Sequence, residues 1–124
     1  LGEGLHAVVR RDPPDDAANT NVLIIINAHE VVVVDGGLTT ASADAVIRTI
    51  RRLTPHPVRY VVNTHWHDDH VLGSGAYAAA FPGVEFIGHP VTREMVIGSV
   101  GPALQRNQTD YADAATAIEA RLRA

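Results

Sequence analysis

Residues 65–70 read His65-Trp66-His67-Asp68-Asp69-His70, which places three imidazoles and the carboxylate of Asp69 within six positions. Imidazole nitrogen and carboxylate oxygen are the donors that zinc and similar divalent ions select. In an extended segment, residues two apart point the same way, so His65 and His67 can reach one ion together. If the chain then turns into a helix, Asp69 and His70 swing towards a neighbouring position. The run can thus start two adjacent sites, separated by the roughly 3.5–4 Å of two-metal hydrolases. Two histidines alone hold zinc poorly, because a catalytic site needs three protein ligands and an open position for water. A lone loop histidine would read as a surface residue; the whole cluster reads as a metal site. The chain has no cysteine, so thiolate ligands and disulfides are excluded.

The elements that must present this cluster are legible on both sides of it. Residues 21–26 and 31–34 are β-branched runs separated by four polar or small residues, which reads as a hairpin. Both runs are continuously apolar, a pattern of strands covered on both faces. From Ser42 to Leu53 the pattern becomes helical. Val46, Ile47, Ile50 and Leu53 form one stripe, Arg48, Arg51 and Arg52 lie outside it, and Ser42 is the expected N-cap. The Thr54-Pro55-His56-Pro57 stretch ends that helix, and residues 58–62 form the strand that delivers the cluster. A small-residue helix is expected over 73–81, a turn at Pro82-Gly83, a strand over 84–87 and a short helix over 92–97. A longer helix is expected from Pro102, at its first turn, to the C-terminus, with Leu104, Tyr111, Ala115, Ile118 and Leu122 on one face. The order β-hairpin, helix, β, metal loop, helix, β, helices defines an α/β layer arrangement.

Read with these neighbours, residues 65–70 resemble the His-x-His-x-Asp-His signature of the metallo-β-lactamase superfamily. Val31 to Val34 followed by Asp35-Gly36-Gly37 is similar to that family's early strand ending in aspartate and glycine. Asn63-Thr64 before the cluster and Val71-Leu72-Gly73-Ser74-Gly75 after it agree. The resemblance runs from about Asn19 to His89. It implies that His65 and His67 bind a first metal and that Asp69 and His70 bind a second. Asp69 would also orient or deprotonate the attacking water, and Asp35 would be a structural acid near the loop, unless it is only a strand-end turn residue. The implied cofactor is Zn2+, one or two ions, with iron possible. Glutamate replaces the second histidine in the family's oxygen-reducing di-iron branch, so His67 argues against that branch. It leaves mononuclear iron members such as persulfide dioxygenases open.

The family's fold is an αβ/βα sandwich of two similar halves, and this chain resembles the first. The expectation is therefore a single metallo-β-lactamase-like domain over residues 1–124 that lacks the C-terminal half, a mixed β-sheet with helices on one face. The later ligands that the resemblance implies (a third histidine, a bridging aspartate and a last histidine) find no match. His89 reads as a helix-start or pocket-rim residue, Asp110 and Asp113 as surface charges, and His6, His29 and His56 as exposed. Trp66 either lines a substrate pocket or packs beside the metal loop. A sheet face without its second layer would invite self-association.

The expected activity is a zinc-dependent hydrolase acting on a small ester, lactone, thioester or β-lactam. The alternatives are a non-catalytic metal-binding or assembly half-domain and an iron-dependent dioxygenase of the same fold. A net charge of −4 without a basic block gives no reason to expect nucleic acid. No apolar run approaches the roughly 18 residues that span a bilayer. The chain opens at Leu1 rather than Met, and nothing in it selects a compartment.

Overall fold

The computed structural model describes residues 2–10, 20–103 and 105. Five strands form one mixed sheet in the order β1-β2-β3-β4-β5: β1 Leu5–Val8, β2 Val22–Ile26, β3 Val31–Val34, β4 Val58–Val62 and β5 Glu85–Ile87. The first three are antiparallel neighbours, and β3, β4 and β5 run parallel. Helix α1 (Thr40–Leu53) makes the crossover from β3 to β4. Helices α2 (Asp68–Val71) and α3 (Ser74–Ala80) lie on the crossover from β4 to β5, and α4 (Pro90–Met95) follows β5.

The expected hairpin is present as β2 and β3, closed by Asn27 N–H donating to the Glu30 carbonyl at 2.9 Å. Its two faces differ. Val22, Ile24, Val31 and Val33 are fully buried, whereas Leu23, Ile25, Val32 and Val34 are half-buried. The pairing of Ile24 with Val33 and of Leu23 with Val34 keeps each set on its own face. The buried set joins Ala43, Val46, Ile47 and Ile50 of α1, Val58 and Val61 of β4, and Ala76 and Tyr77 of α3 in one core. Each large side chain buried there contributes about 1.5–3 kcal/mol of apolar transfer, and the helices thus fasten one side of the sheet. The other face lacks equivalent cover among the described residues, so the mixed sheet carries its helices on one face, as expected.

Four expectations are corrected. Thr39, not Ser42, is the N-cap of α1. Ser42 N–H donates to Thr39 Oγ1 and Thr39 N–H donates to Ser42 Oγ, each at 3.0 Å, so Ser42 is the third residue of a reciprocal capping box. Leu53, placed on the apolar stripe, is the last residue of α1 and is 44% exposed. His6 lies in β1 and is half-buried, as is His56, while His29 is exposed as expected. Pro102 does not open a new helix. The backbone stays helical from Pro90 to Ala103, with a π-helical turn at Val96–Val100, where Gly101 N–H donates to the Val96 carbonyl. Proline has no N–H and its ring crowds the preceding turn, and a wider π turn just before it accommodates both defects. The helix expected onward to the C-terminus, with Tyr111, Asp110 and Asp113, lies outside the described residues.

Candidate metal centre

In open α/β sheets, ligands gather beyond the carboxyl ends of the parallel strands. Here Asp35 directly follows β3, His65 to His70 follow β4, and His89 follows β5. Two glycine-bearing loops make the meeting of the first two possible. Gly36 N–H donates to the His70 carbonyl at 2.8 Å, and Gly73 N–H donates to the Gly37 carbonyl at 2.7 Å. A Cβ on Gly73 would lie 2.3 Å from the Gly36 carbonyl oxygen, so only glycine permits this approach. The loop after β3 and the turn between α2 and α3 are therefore zipped together backbone to backbone.

Asp35 is the described non-glycine residue with a left-handed backbone, at φ 65°. Such a conformation costs an L-residue roughly 1–2 kcal/mol and persists where its surroundings over-determine it. The surroundings do so here. Asp35 N–H donates to the Val62 carbonyl at 2.8 Å, joining β3 to β4. Its carboxylate, only 9% exposed, accepts Thr64 N–H on Oδ1 at 2.9 Å and lies 3.0 Å from Thr64 Oγ1 through both oxygens. Oδ2 also meets His70 Nδ1 at 2.9 Å. The expectation that Asp35 is a structural acid near the loop thus finds its geometry.

The side chains of the cluster lie close to one another. The rings of His65 and His67 lie 4.5 Å apart, and those of His65 and His70 4.0 Å apart. His70 Nε2 sits 3.3 Å from Asp69 Oδ2, placing a nitrogen and an oxygen donor side by side. Asp69 and His70 project from α2, which begins immediately after His67, so the expected turn from extended to helical backbone is present. Among the described residues, however, no group of three or more His, Asp or Glu side chains converges to hold a metal. The donor set, imidazole nitrogen and carboxylate oxygen, suits zinc in type.

Two threonines complete the surroundings. Thr64 Oγ1 lies 3.0 Å from His65 Nδ1, and Thr20 Oγ1 lies 3.3 Å from His70 Nδ1. Sequence reasoning assigned neither a role. Thr64 was visible only as a neighbour of the cluster, and Thr20, fifty positions from His70, carries no sequence signal. Trp66 is half-buried with its ring edge-on to His67 at 4.9 Å, in keeping with packing beside the loop. His89 caps α4, its Nδ1 accepting Val91 N–H at 3.2 Å, as a helix-start residue should. A groove of about 250 Å³ opens beside the loop, bordered by Asn63, Phe86, Ile87, Gly88 and Thr92. None of the four cluster residues lines it.

The sheet order, the helices on one face, the strand-end acid and the histidine loop define an α/β module with a donor-rich loop at the strand ends, and comparison with known proteins identifies its family. The family profile of the metallo-β-lactamase superfamily matches residues 15–122, and the chain belongs to that superfamily. It is 32% identical over 87 residues to a mitochondrial persulfide dioxygenase from Bos taurus, covering 69% of this chain and 33% of that protein. Its fold is similar to a metallo-β-lactamase from Hirschia baltica, with a TM-score of 0.64 and 28% identity over 78% of this chain and 44% of that one. A metallo-β-lactamase from Erythrobacter litoralis, solved with β-mercaptoethanol in its active site, gives 0.54 and 27% over 60% and 32%. The chain thus spans less than half the length of these relatives.

Proposed function

We propose that this chain carries the first part of a zinc-dependent hydrolase site for a small ester, lactone, thioester or β-lactam. The observation that carries the reading is the arrangement of His65, His67, Asp69 and His70 at the carboxyl end of β4, braced by buried Asp35. His65 and His67 would hold one ion and Asp69 with His70 a second. A zinc ion there supplies Lewis-acid polarisation of a carbonyl and lowers the pKa of water. The chain's own contribution is orientation. Asp69 keeps a carboxylate oxygen beside His70 Nε2, where it can hold a water and accept its proton. A catalytic zinc needs at least three protein ligands, and no group of three converges among the described residues, so the reading requires a further ligand beyond the pairs seen in this loop.

A second reading, an iron-dependent dioxygenase, is favoured by the 32% identity to the persulfide dioxygenase. A third, a non-catalytic metal-binding half-domain, is favoured by the pairwise geometry itself. One experiment separates them. The chain is loaded with zinc or with ferrous iron, then assayed for hydrolysis of an ester, lactone, thioester and β-lactam panel and for oxygen uptake with a persulfide. Zinc-dependent hydrolysis lost in His67→Ala supports the hydrolase. Iron-dependent oxygen uptake supports the dioxygenase, and metal binding without either supports the third reading.

No helix among the described residues is long and apolar enough to cross a membrane. The substrate is taken to be a small molecule, and we expect the apolar surface around Phe86, Ile87, Val91 and Ile97, each more than 40% exposed, to promote self-association.

A further inference from the structure

Two histidines outside the 65–70 loop also stand together. His29 lies in the turn between β2 and β3, and His56 in the loop from α1 to β4. Their rings lie 6.4 Å apart, centre to centre, with planes inclined at 68°. Each precedes its strand, so the pair sits at the amino ends of β3 and β4, whereas Asp35 and residues 65–70 follow the carboxyl ends. The length of β3, roughly 10–13 Å, separates the two groups.

The backbone fixes this meeting. Asn27 N–H donates to the Glu30 carbonyl at 2.9 Å and closes the turn that carries His29. Val31 N–H donates to the Pro57 carbonyl at 2.9 Å, tying the end of that turn to the residue after His56. His56 N–H donates to Thr54 Oγ1 at 3.2 Å, and Thr54 is buried. Pro55 and Pro57 fix φ on either side of His56, and Pro57 restricts the backbone of His56 itself. Among the described residues neither ring makes a hydrogen bond or an ion pair, which leaves their lone pairs free. His29 is exposed and His56 half-buried, so the first ring can turn about its side-chain bonds towards the second.

A transition ion bonds imidazole nitrogen at roughly 2.0–2.1 Å. Two rings on one ion then have centres roughly 5 Å apart at a tetrahedral angle and roughly 6.4 Å apart when opposite. The observed spacing lies at the wide end of that range, and a small rotation of His29 reaches the rest. We propose that His29 and His56 form a second, peripheral site for a divalent transition ion, which clips the β2–β3 turn to the α1–β4 loop. Imidazole suits zinc, copper and nickel. With two protein donors the ion keeps water in its other positions, is held weakly and leaves on dialysis. The site is independent of the 65–70 loop and of any catalysis there. Its affinity comes from chelation: once one imidazole holds the ion the other is already close, so the pair binds roughly 100-fold or more tightly than either ring alone. Because the two histidines meet only in the folded chain, the ion stabilises the fold as its concentration rises.

The test follows the amide ¹⁵N–¹H shifts of the full chain during titration with zinc chloride. His29, Glu30, Val31, His56 and Val58 should move along one binding curve, in the wild type and equally in His67→Ala. His29→Ala, at an exposed turn position, should weaken the response at His56 by roughly 100-fold or more, and His56→Ala should do the same at His29. The amide spectrum itself shows that each variant is folded. No shift at these residues at millimolar zinc overturns the clip, as does a response at His56 that His29→Ala leaves unchanged. A response that disappears in His67→Ala also overturns it, because the ion would then be held at the other end of the sheet.

Discussion

Replacing Asp35 separates what its side chain does from what its backbone costs. In Asp35→Ala the carboxylate is lost, and Thr64 N–H and His70 Nδ1–H lose their acceptor in a pocket that leaves Asp35 only 6% exposed. A hydrogen bond to a charged group contributes about 1.5–3 kcal/mol and one between neutral groups about 1 kcal/mol. Thr64 is itself exposed, so its share belongs at the low end, and the loss should total roughly 3–4 kcal/mol. Alanine keeps the left-handed strain at φ 65°, whereas glycine is free of it. Asp35→Gly should therefore be less destabilised than Asp35→Ala by about 1 kcal/mol, even though glycine is the more flexible residue when unfolded. Urea unfolding of the three proteins, compared through their midpoints at a shared slope, measures both differences. An Asp35→Gly variant no more stable than Asp35→Ala would refute the strain. An Asp35→Ala loss below about 1 kcal/mol would refute the carboxylate's role as the brace of the loop.

Gly73→Ala places a methyl 2.3 Å from the Gly36 carbonyl and should cost at least about 3 kcal/mol in the same unfolding assay. Gly75→Ala, in α3 with nothing within 4 Å, should gain about 0.5–1 kcal/mol. Tyr77 is fully buried with its hydroxyl unpaired, and burial raises its pKa well above the usual range, opposed only in part by Arg10. The unfolded chain sheds this proton above about pH 10 while the fold keeps it, so stability should fall there by about 1.4 kcal/mol per pH unit. Below pH 10 that contribution is fully present. In Tyr77→Phe the alkaline slope from this residue should vanish, as thermal melts between pH 9 and roughly 11.5 would show. Phe86→Glu combined with Ile97→Glu should abolish concentration-dependent association in sedimentation velocity, which follows if these exposed side chains hold copies together.

Much of this architecture is legible in local pattern. The hairpin, α1, β4, α3 and β5 follow from β-branched runs, a helical apolar stripe and Pro or Gly punctuation, and each is found within a few residues of its expected bounds. The errors have local causes. Ser42 looked like a cap because the partner that makes Thr39 the cap is Ser42 itself, a reciprocity not visible from residue type. Leu53 fits the stripe by period but is the last residue of its helix, where the chain turns away from the core. Pro102 suggested a helix start, and the π turn that admits it mid-helix has no clear sequence mark. At the candidate site, the cluster residues were legible because four donors lie within six positions. Thr20 and the hydroxyl contacts of Thr64 were not, because a hydrogen bond across fifty residues exists only once β2, β3 and β4 have brought the loops together.

The central claim is that residues 65–70 form part of a genuine metal site. Its most direct test is zinc content per chain after equilibrium dialysis and elemental analysis, with His67→Ala alongside. A metal site predicts about one or two zinc ions per chain in the wild type, as in mono- and two-metal centres, and loss of zinc in the variant. A wild-type chain that retains no zinc, or a His67→Ala chain that retains as much, would contradict it.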